Sequence, residues 1–205
     1  MKRVFILLLL FNLLITGLTF ASVRTVIDTA SNYKIEYPAV CFGDNTIENK
    51  INADIYQYVI AFKNDYLKGK FYDGRVMYKL KFEDEKYLSI ILIDMRSNDR
   101  ITKPHFKYIG LNYDKKTGNR IPLRYFVHIA SNDDPTLRLC PLYNENDVEV
   151  HRGANGSLVT DNYFLNGEGK ISLIYQVYKR GSYADGMTYA VLDLKTIDFL
   201  NRKNP

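Results

Sequence analysis

Residues 45–82 read NTIENKINADIYQYVIAFKNDYLKGKFYDGRVMYKLKF, and within them the hydrophobic period changes once. In the first part Ile47, Ile51, Ile55, Val59, Phe62 and Tyr66 recur at close to four-residue spacing. That spacing places them on one stripe of a helix. Asn45 precedes the stripe and Glu48 follows three residues later, a capping-box arrangement with Asn in the cap role. The pattern predicts a helix from about 46 to 67 that stops near Gly69. From Phe71 to Phe82 the period becomes two, the spacing of a strand.

Strand signals dominate outward from this stretch. Upstream, residues 33–42 (YKIEYPAVCF) alternate and end at Gly43-Asp44. Downstream, Glu83-Asp84-Glu85 is a turn. Tyr87 to Met95 (YLSIILIDM) follows, with a nearly continuous apolar centre rich in β-branched residues, the pattern of a strand buried on both faces. Phe106 to Tyr113 is a further strand, closed by the tight turn Asp114 to Gly118. Residues 121–129 fit a strand or a short helix, and so do residues 137–143. Tyr163–Leu165, Ile171–Tyr178 and Met187–Leu194 read as strands, with Gly167 and Gly169 turning the chain between the first two. The expected fold is α+β: one long amphipathic helix packed on an antiparallel β-sheet in a single domain, residues 22–205, with its core at about 33–194.

The N-terminus carries a different signal. Met1-Lys2-Arg3 is basic, Val4 to Phe20 is almost wholly apolar, and Thr19-Phe20-Ala21 puts small residues at −3 and −1 of a cut before Ser22. These are the three parts of a secretory signal peptide, residues 1–21. The expected location is periplasmic or secreted, without stable membrane insertion after cleavage. No cysteine follows the apolar run to carry a lipid.

Loss of Lys2 and Arg3 would leave 26 basic against 23 acidic side chains. An excess of three, spread along the chain, does not favour a nucleic-acid partner. Seventeen tyrosines and no tryptophan suit half-buried strands and recognition surfaces. Cys41 and Cys140 are an even pair in an exported chain, and a bridge between them is expected over two buried thiols. It would close a loop of roughly 100 residues and contribute about 4–5 kcal/mol in the chain-entropy account.

Motifs for chemistry are missing. His105, His128 and His151 are the only histidines, and none has zinc-ligand spacing. No GxSxG elbow, P-loop or dinucleotide fingerprint occurs. No metal, cofactor or catalytic residue is expected. The alternative is a hydrolase acting on wall polysaccharide, which would need a folded acid–base pair; His105 with Asp94 or Asp114 is the first such pair to examine.

Three stretches in order resemble a known family. Ile51-Asn52 in the helix is followed by Tyr87-Leu88-Ser89-Ile90; His105 precedes Gly110-Leu111-Asn112-Tyr113-Asp114 and Thr117-Gly118; Ile174-Tyr175-Gln176-Val177-Tyr178 precedes Tyr183-Ala184-Asp185-Gly186. This order resembles the extracellular domain of the RsiV anti-sigma factor, which also occurs beside polysaccharide deacetylase domains and as standalone exported proteins. With a leader at residue 1, no cytoplasmic segment is expected to hold a sigma factor, and no deacetylase domain is expected either. The resemblance implies recognition without catalysis, the partner being a wall hydrolase such as lysozyme or a peptidoglycan glycan. Thr102-Lys103-Pro104-His105 stands where the family has Gly-Gly-Ala-His, and Lys179-Arg180-Gly181-Ser182-Tyr183 where it has Glu-Ile-Ala-Pro-Tyr. The implied binding residues are His105, Tyr178, Lys179, Arg180 and Tyr183, with Lys179 and Arg180 meeting anionic groups and the two tyrosines offering ring faces.

Overall fold

A computed structural model describes residues 22–151, 153 and 156–205. The expected leader, residues 1–21, lies outside the described residues. Strands β1 (Val23–Ala30) and β2 (Tyr33–Val40) form a hairpin. Helix α1 (Asn45–Leu67) leads from it to β3 (Asp73–Glu83), β4 (Tyr87–Ser97) and β5 (His105–Asp114). These five strands make one sheet in the order β1-β2-β3-β4-β5. The rest of the chain supplies α2 (Asp134–Leu139), β6 (Leu142–Asn144), β7 (Tyr163–Leu165), β8 (Ile171–Tyr175), β9 (Thr188–Leu192) and α3 (Leu194–Lys203). Its four strands form a second, antiparallel sheet in the order β6-β9-β8-β7.

The fold is α+β, as the hydrophobic periods predict. The first sheet is mixed, however. Because α1 carries the chain back along the sheet, β3 runs parallel to β2, from Tyr33 opposite Gly74 to Ile35 opposite Val76. The helix begins one residue earlier than the sequence reading. Asp44 is the cap, its Oδ1 accepting from the Thr46 and Ile47 amides at 3.0 and 3.1 Å. Glu48 reaches back past the cap and not to it, its Oε1 accepting from the Phe42 and Gly43 amides at 2.6 Å each. Ile51, Ile55, Val59 and Phe62 are the fully buried stripe, packed with Ile35 of β2 and with Leu88, Ile90 and Leu92 of β4.

β4 sorts the core. Leu88, Ile90 and Leu92 face α1, whereas Ile91 and Ile93 face the second sheet, against Phe164, Ile174 and Tyr189. Both faces of the strand are therefore covered, the physical reason for its unbroken apolar run. A third cluster, with Leu137, Leu173, Ala190 and Leu200, fills the far side of the second sheet beneath α2 and α3. Residues 121–129 are neither strand nor α-helix: a single 3₁₀ turn, Leu123–Tyr125, seats Leu123 and Val127 in that cluster. Residues 137–143 hold the end of α2 and the start of β6. Among the described residues, no helix is long and apolar enough to cross a membrane.

Candidate recognition surface

The residues that carry the family resemblance build the joint between the sheets. Gly110 lies against the backbone of Tyr163. Its amide donates to Asn162 Oδ1 at 2.8 Å, and Asn162 Nδ2 donates to the Tyr108 carbonyl at 2.8 Å. Gln176 grips the same residue: Oε1 accepts from the Tyr108 amide at 2.9 Å and Nε2 donates to its carbonyl at 2.8 Å. One strand pair further on, Ser89 Oγ donates to Asn112 Oδ1 at 2.6 Å and Asn112 Nδ2 donates to the Tyr163 carbonyl at 2.8 Å. Arg120 Nη2 donates to the Gly110 carbonyl at 3.0 Å, the Ile121 amide to that of Asn112 at 2.9 Å, and the Asp114 amide to that of Asn119 at 3.0 Å. Tyr113 fastens α1, its hydroxyl 2.7 Å from Asp54 Oδ2; burial and that carboxylate push its ionisation upward. Asp114 holds the following turn by accepting from the Lys116 and Thr117 amides at 2.9 Å, and Gly118 takes φ +67°. These motif residues position backbone; their polar groups are used internally.

The structure joins the two segments expected to form a surface. Tyr183, at the start of a 3₁₀ turn (Tyr183–Asp185), donates its hydroxyl to the Pro104 carbonyl at 3.1 Å. Its ring meets Phe106 edge-on at 6.1 Å and lies 6.0 Å from the ring of Tyr178. Lys103 Nζ stands 4.8 Å over the Tyr183 ring. Tyr178 is 56% exposed and holds a left-handed backbone at φ +68°. Lys179 is half-buried.

Two of the expected residues fall elsewhere. Side chains alternate along β5, so His105 faces away from the Phe106 and Tyr108 side, where the second sheet packs. It is exposed, opposite Arg96 of β4. Arg180 is only 5% exposed, packed with its guanidinium 5.5 Å over the Tyr175 ring. It is a buried cation, not a surface one. Phe106 and Lys103 are the surface residues that sequence reasoning missed; the alternation that places Phe106 beside Tyr108 was the available signal.

The two acid–base pairs do not form. Asp94 is held by Arg96, from Nε and Nη2 at 2.8 Å each, and Arg96 Nη1 reaches Asp65 at 2.7 Å. Lys70 and Arg96 together hold Asp65 down at about 2. Asp114 ends the strand that His105 begins, about 30 Å away at strand rise. Among the described residues no group of three metal-ligating side chains converges. Cys41 is an exposed free thiol and Cys140 a buried one, so the expected bridge is not formed. Burial pushes the Cys140 thiol up to about 11.

An open groove of about 780 Å³ runs between the sheets past Lys81, Tyr143, Asp147 and Tyr189. Its polar groups are mutually engaged: Asp147 Oδ1 accepts from Lys81 at 3.1 Å and from the Tyr189 hydroxyl at 2.7 Å, and the Tyr143 and Tyr189 rings stack at 5.6 Å.

No protein-family model matches the chain, and no curated protein matches it. Solved structures do. A member of the DUF3298 family from Bacteroides fragilis NCTC 9343 superposes with a TM-score of 0.58 at 13% identity, covering 87% of this chain and 91% of its own. A DUF3298 family protein from Pseudomonas aeruginosa PAO1 gives 0.56 at 8% identity, covering 86% and 90%. At these identities the likeness is one of fold, and it spans nearly the whole of both relatives.

Proposed function

We propose that this protein is an exported recognition domain of the bacterial envelope, and that it binds a protein partner, a wall hydrolase of the lysozyme type, on the surface made by Lys103, Phe106, Tyr178 and Tyr183. The observation that carries the reading is the tie from the Tyr183 hydroxyl to the Pro104 carbonyl. It fixes two loops, 79 residues apart, into one aromatic and cationic face. An exposed tyrosine at φ +68° holds a costly backbone, a feature that concentrates at binding sites. Tyrosine anchors are also over-represented among the residues that dominate protein interfaces. The resemblance to the RsiV ectodomain supports the same reading, as does the signal-peptide pattern of residues 1–21. A wall hydrolase activity lacks comparable support, because His105 meets neither Asp94 nor Asp114.

The test is a pull-down of residues 22–205 against a lysozyme and, separately, against purified peptidoglycan, over a range of salt that exposes nonspecific charge binding. Saturable capture of lysozyme, lost on Tyr178→Ala with Lys103→Ala, is the expected result. Capture of peptidoglycan alone would replace the protein partner with a glycan. Capture of neither would overturn the proposal.

A further inference from the structure

β1 is an outer strand of the first sheet and pairs with β2 alone. Its phase is fixed at the open end of the hairpin, where the Cys41 amide donates to the Ser22 carbonyl at 2.7 Å. Ser22 and Cys41 are therefore a hydrogen-bonded pair, and along the register so are Arg24, Val26, Asp28 and Ala30 with their β2 partners. The main-chain groups of Val23, Thr25, Ile27 and Thr29 point the other way, out of the open edge. Among the described residues nothing hydrogen-bonds to them. Edges are ordinarily blunted by a bulge, a proline or a very short strand. β1 has none of these: VRTVIDTA runs for 8 residues in unbroken register, with Ile27 59% exposed.

The charges on β1 specify the strand that fits it. Asp28 lies on the face that meets α1, where Lys63 takes its Oδ2 and leaves Oδ1 free. Arg24 lies on the same face of the strand, is exposed, and has no ion pair or hydrogen bond among the described residues. We propose that β1 pairs antiparallel with β1 of a second copy of this chain, about a two-fold axis at Val26. In that register Arg24 of each copy stands opposite Asp28 of the other, and Val26 meets Val26. Thr25 falls opposite Ile27 and Val23 opposite Thr29, so the outward main-chain groups of both strands are matched. The charged pairs then occupy non-hydrogen-bonded positions, where side chains stand closest. A slip of two residues leaves neither charge facing its opposite, and a slip of four sets Arg24 against Arg24 or Asp28 against Asp28. A second copy therefore supplies by symmetry the reversed charge spacing that this edge requires. β1 lies at the opposite side of the sheet from β5, which carries Phe106, so this proposal is independent of the Tyr178–Tyr183 face.

The test is sedimentation equilibrium of residues 22–205, which hold the whole described fold, over a range of protein concentration and salt. The expected result is a reversible monomer–dimer equilibrium that salt weakens. Arg24→Glu and Asp28→Lys should each raise the dimer Kd about tenfold or more, because both cross-strand pairs turn repulsive at once. An equimolar mixture of the two variants should associate again: the introduced acid faces the introduced base, and the retained Asp28 faces the retained Arg24. Ile27→Pro spares both charges and removes one outward amide, a change that edge strands tolerate, and should leave a monomer. A native chain that stays monomeric at every concentration would overturn the proposal and leave the edge to a foreign strand. A dimer indifferent to Ile27→Pro, or folded charge variants that fail to associate when mixed, would overturn it too. Circular dichroism checks the fold of each variant; if Asp28→Lys, which also loses Lys63, does not fold, Arg24→Glu and Ile27→Pro decide.

Discussion

Gly110 lies beneath the main-chain carbonyl of Tyr163, so close that a Cβ at position 110 would stand 1.8 Å from that oxygen. The obstacle is backbone, not a side chain that could swing aside. Gly110→Ala must therefore part the two sheets where they are most closely joined. We expect a loss of about 3 kcal/mol or more, the upper end for overpacking a core, measured by urea unfolding.

Asn112 tests the same joint by deletion. Asn112→Ala removes the acceptor of the Ser89 hydroxyl and the donor to the Tyr163 carbonyl, both at buried positions. The expected cost is about 2–4 kcal/mol, more than two ordinary hydrogen bonds contribute, because the partners are left unsatisfied. Substituting Ser89 as well should cost less than the sum of the two single changes, since one unsatisfied partner is then gone.

Asp65 gives a signed pH prediction. Hydrogen bonds from Lys70 and Arg96 lower its folded pKa from the ordinary 3.8 to about 2. A depressed carboxylate contributes stability above the unfolded value and loses it as pH falls toward the folded one. Asp65→Asn should therefore flatten the stability profile between about pH 4 and pH 2, and leave its slope near neutrality unchanged. Unfolding followed by circular dichroism across that range checks it; an unchanged acid limb would mean that Asp65 makes no such contribution.

The thiols should separate cleanly. Cys41 is exposed, and Cys140 is buried with its thiol pushed up to about 11. Alkylation of the native protein should add one label, at Cys41, and unfolding should release the second. Mass spectrometry counts both, and a native chain that takes no label without reductant would restore the bridge.

Tyr183→Phe keeps the ring and deletes the hydroxyl that reaches Pro104. The expected cost is about 1 kcal/mol, from one part-buried hydrogen bond. Loosened protection of the amides of residues 101–103, seen by hydrogen exchange, would be the local sign.

Where one physical signal dominates, the fold is legible in the sequence. The stripe Ile51, Ile55, Val59, Phe62 and the continuous run of β4 reflect burial on one face and on two, and both are visible in the order of residues. β1 escapes that reading because VRTVIDTA is largely exposed and pairs only with β2. α3 escapes it because LKTIDFLNRK buries only Leu200 completely. The parallel join of β2 to β3 depends on where α1 returns the chain, which local pattern does not encode. At the surface, the nearness of Tyr183 to residue 104 is a tertiary fact. The burial of Arg180 is one too: a Lys-Arg pair reads as solvated, and only packing against Tyr175 shows otherwise.

The joint between the sheets has one more consequence. β5 is the last strand of its sheet, and such a strand ordinarily offers a row of open amides and carbonyls to any passing chain. Here that row is occupied from Tyr108 to Asp114. Gln176 and Asn162 cover Tyr108, Asn162 and Arg120 cover Gly110, and the residues after the turn cover Asn112 and Asp114. Side chains stand in for a sixth strand without leaving a new rim behind. Addition of a foreign strand along residues 108–114 is blocked at that edge.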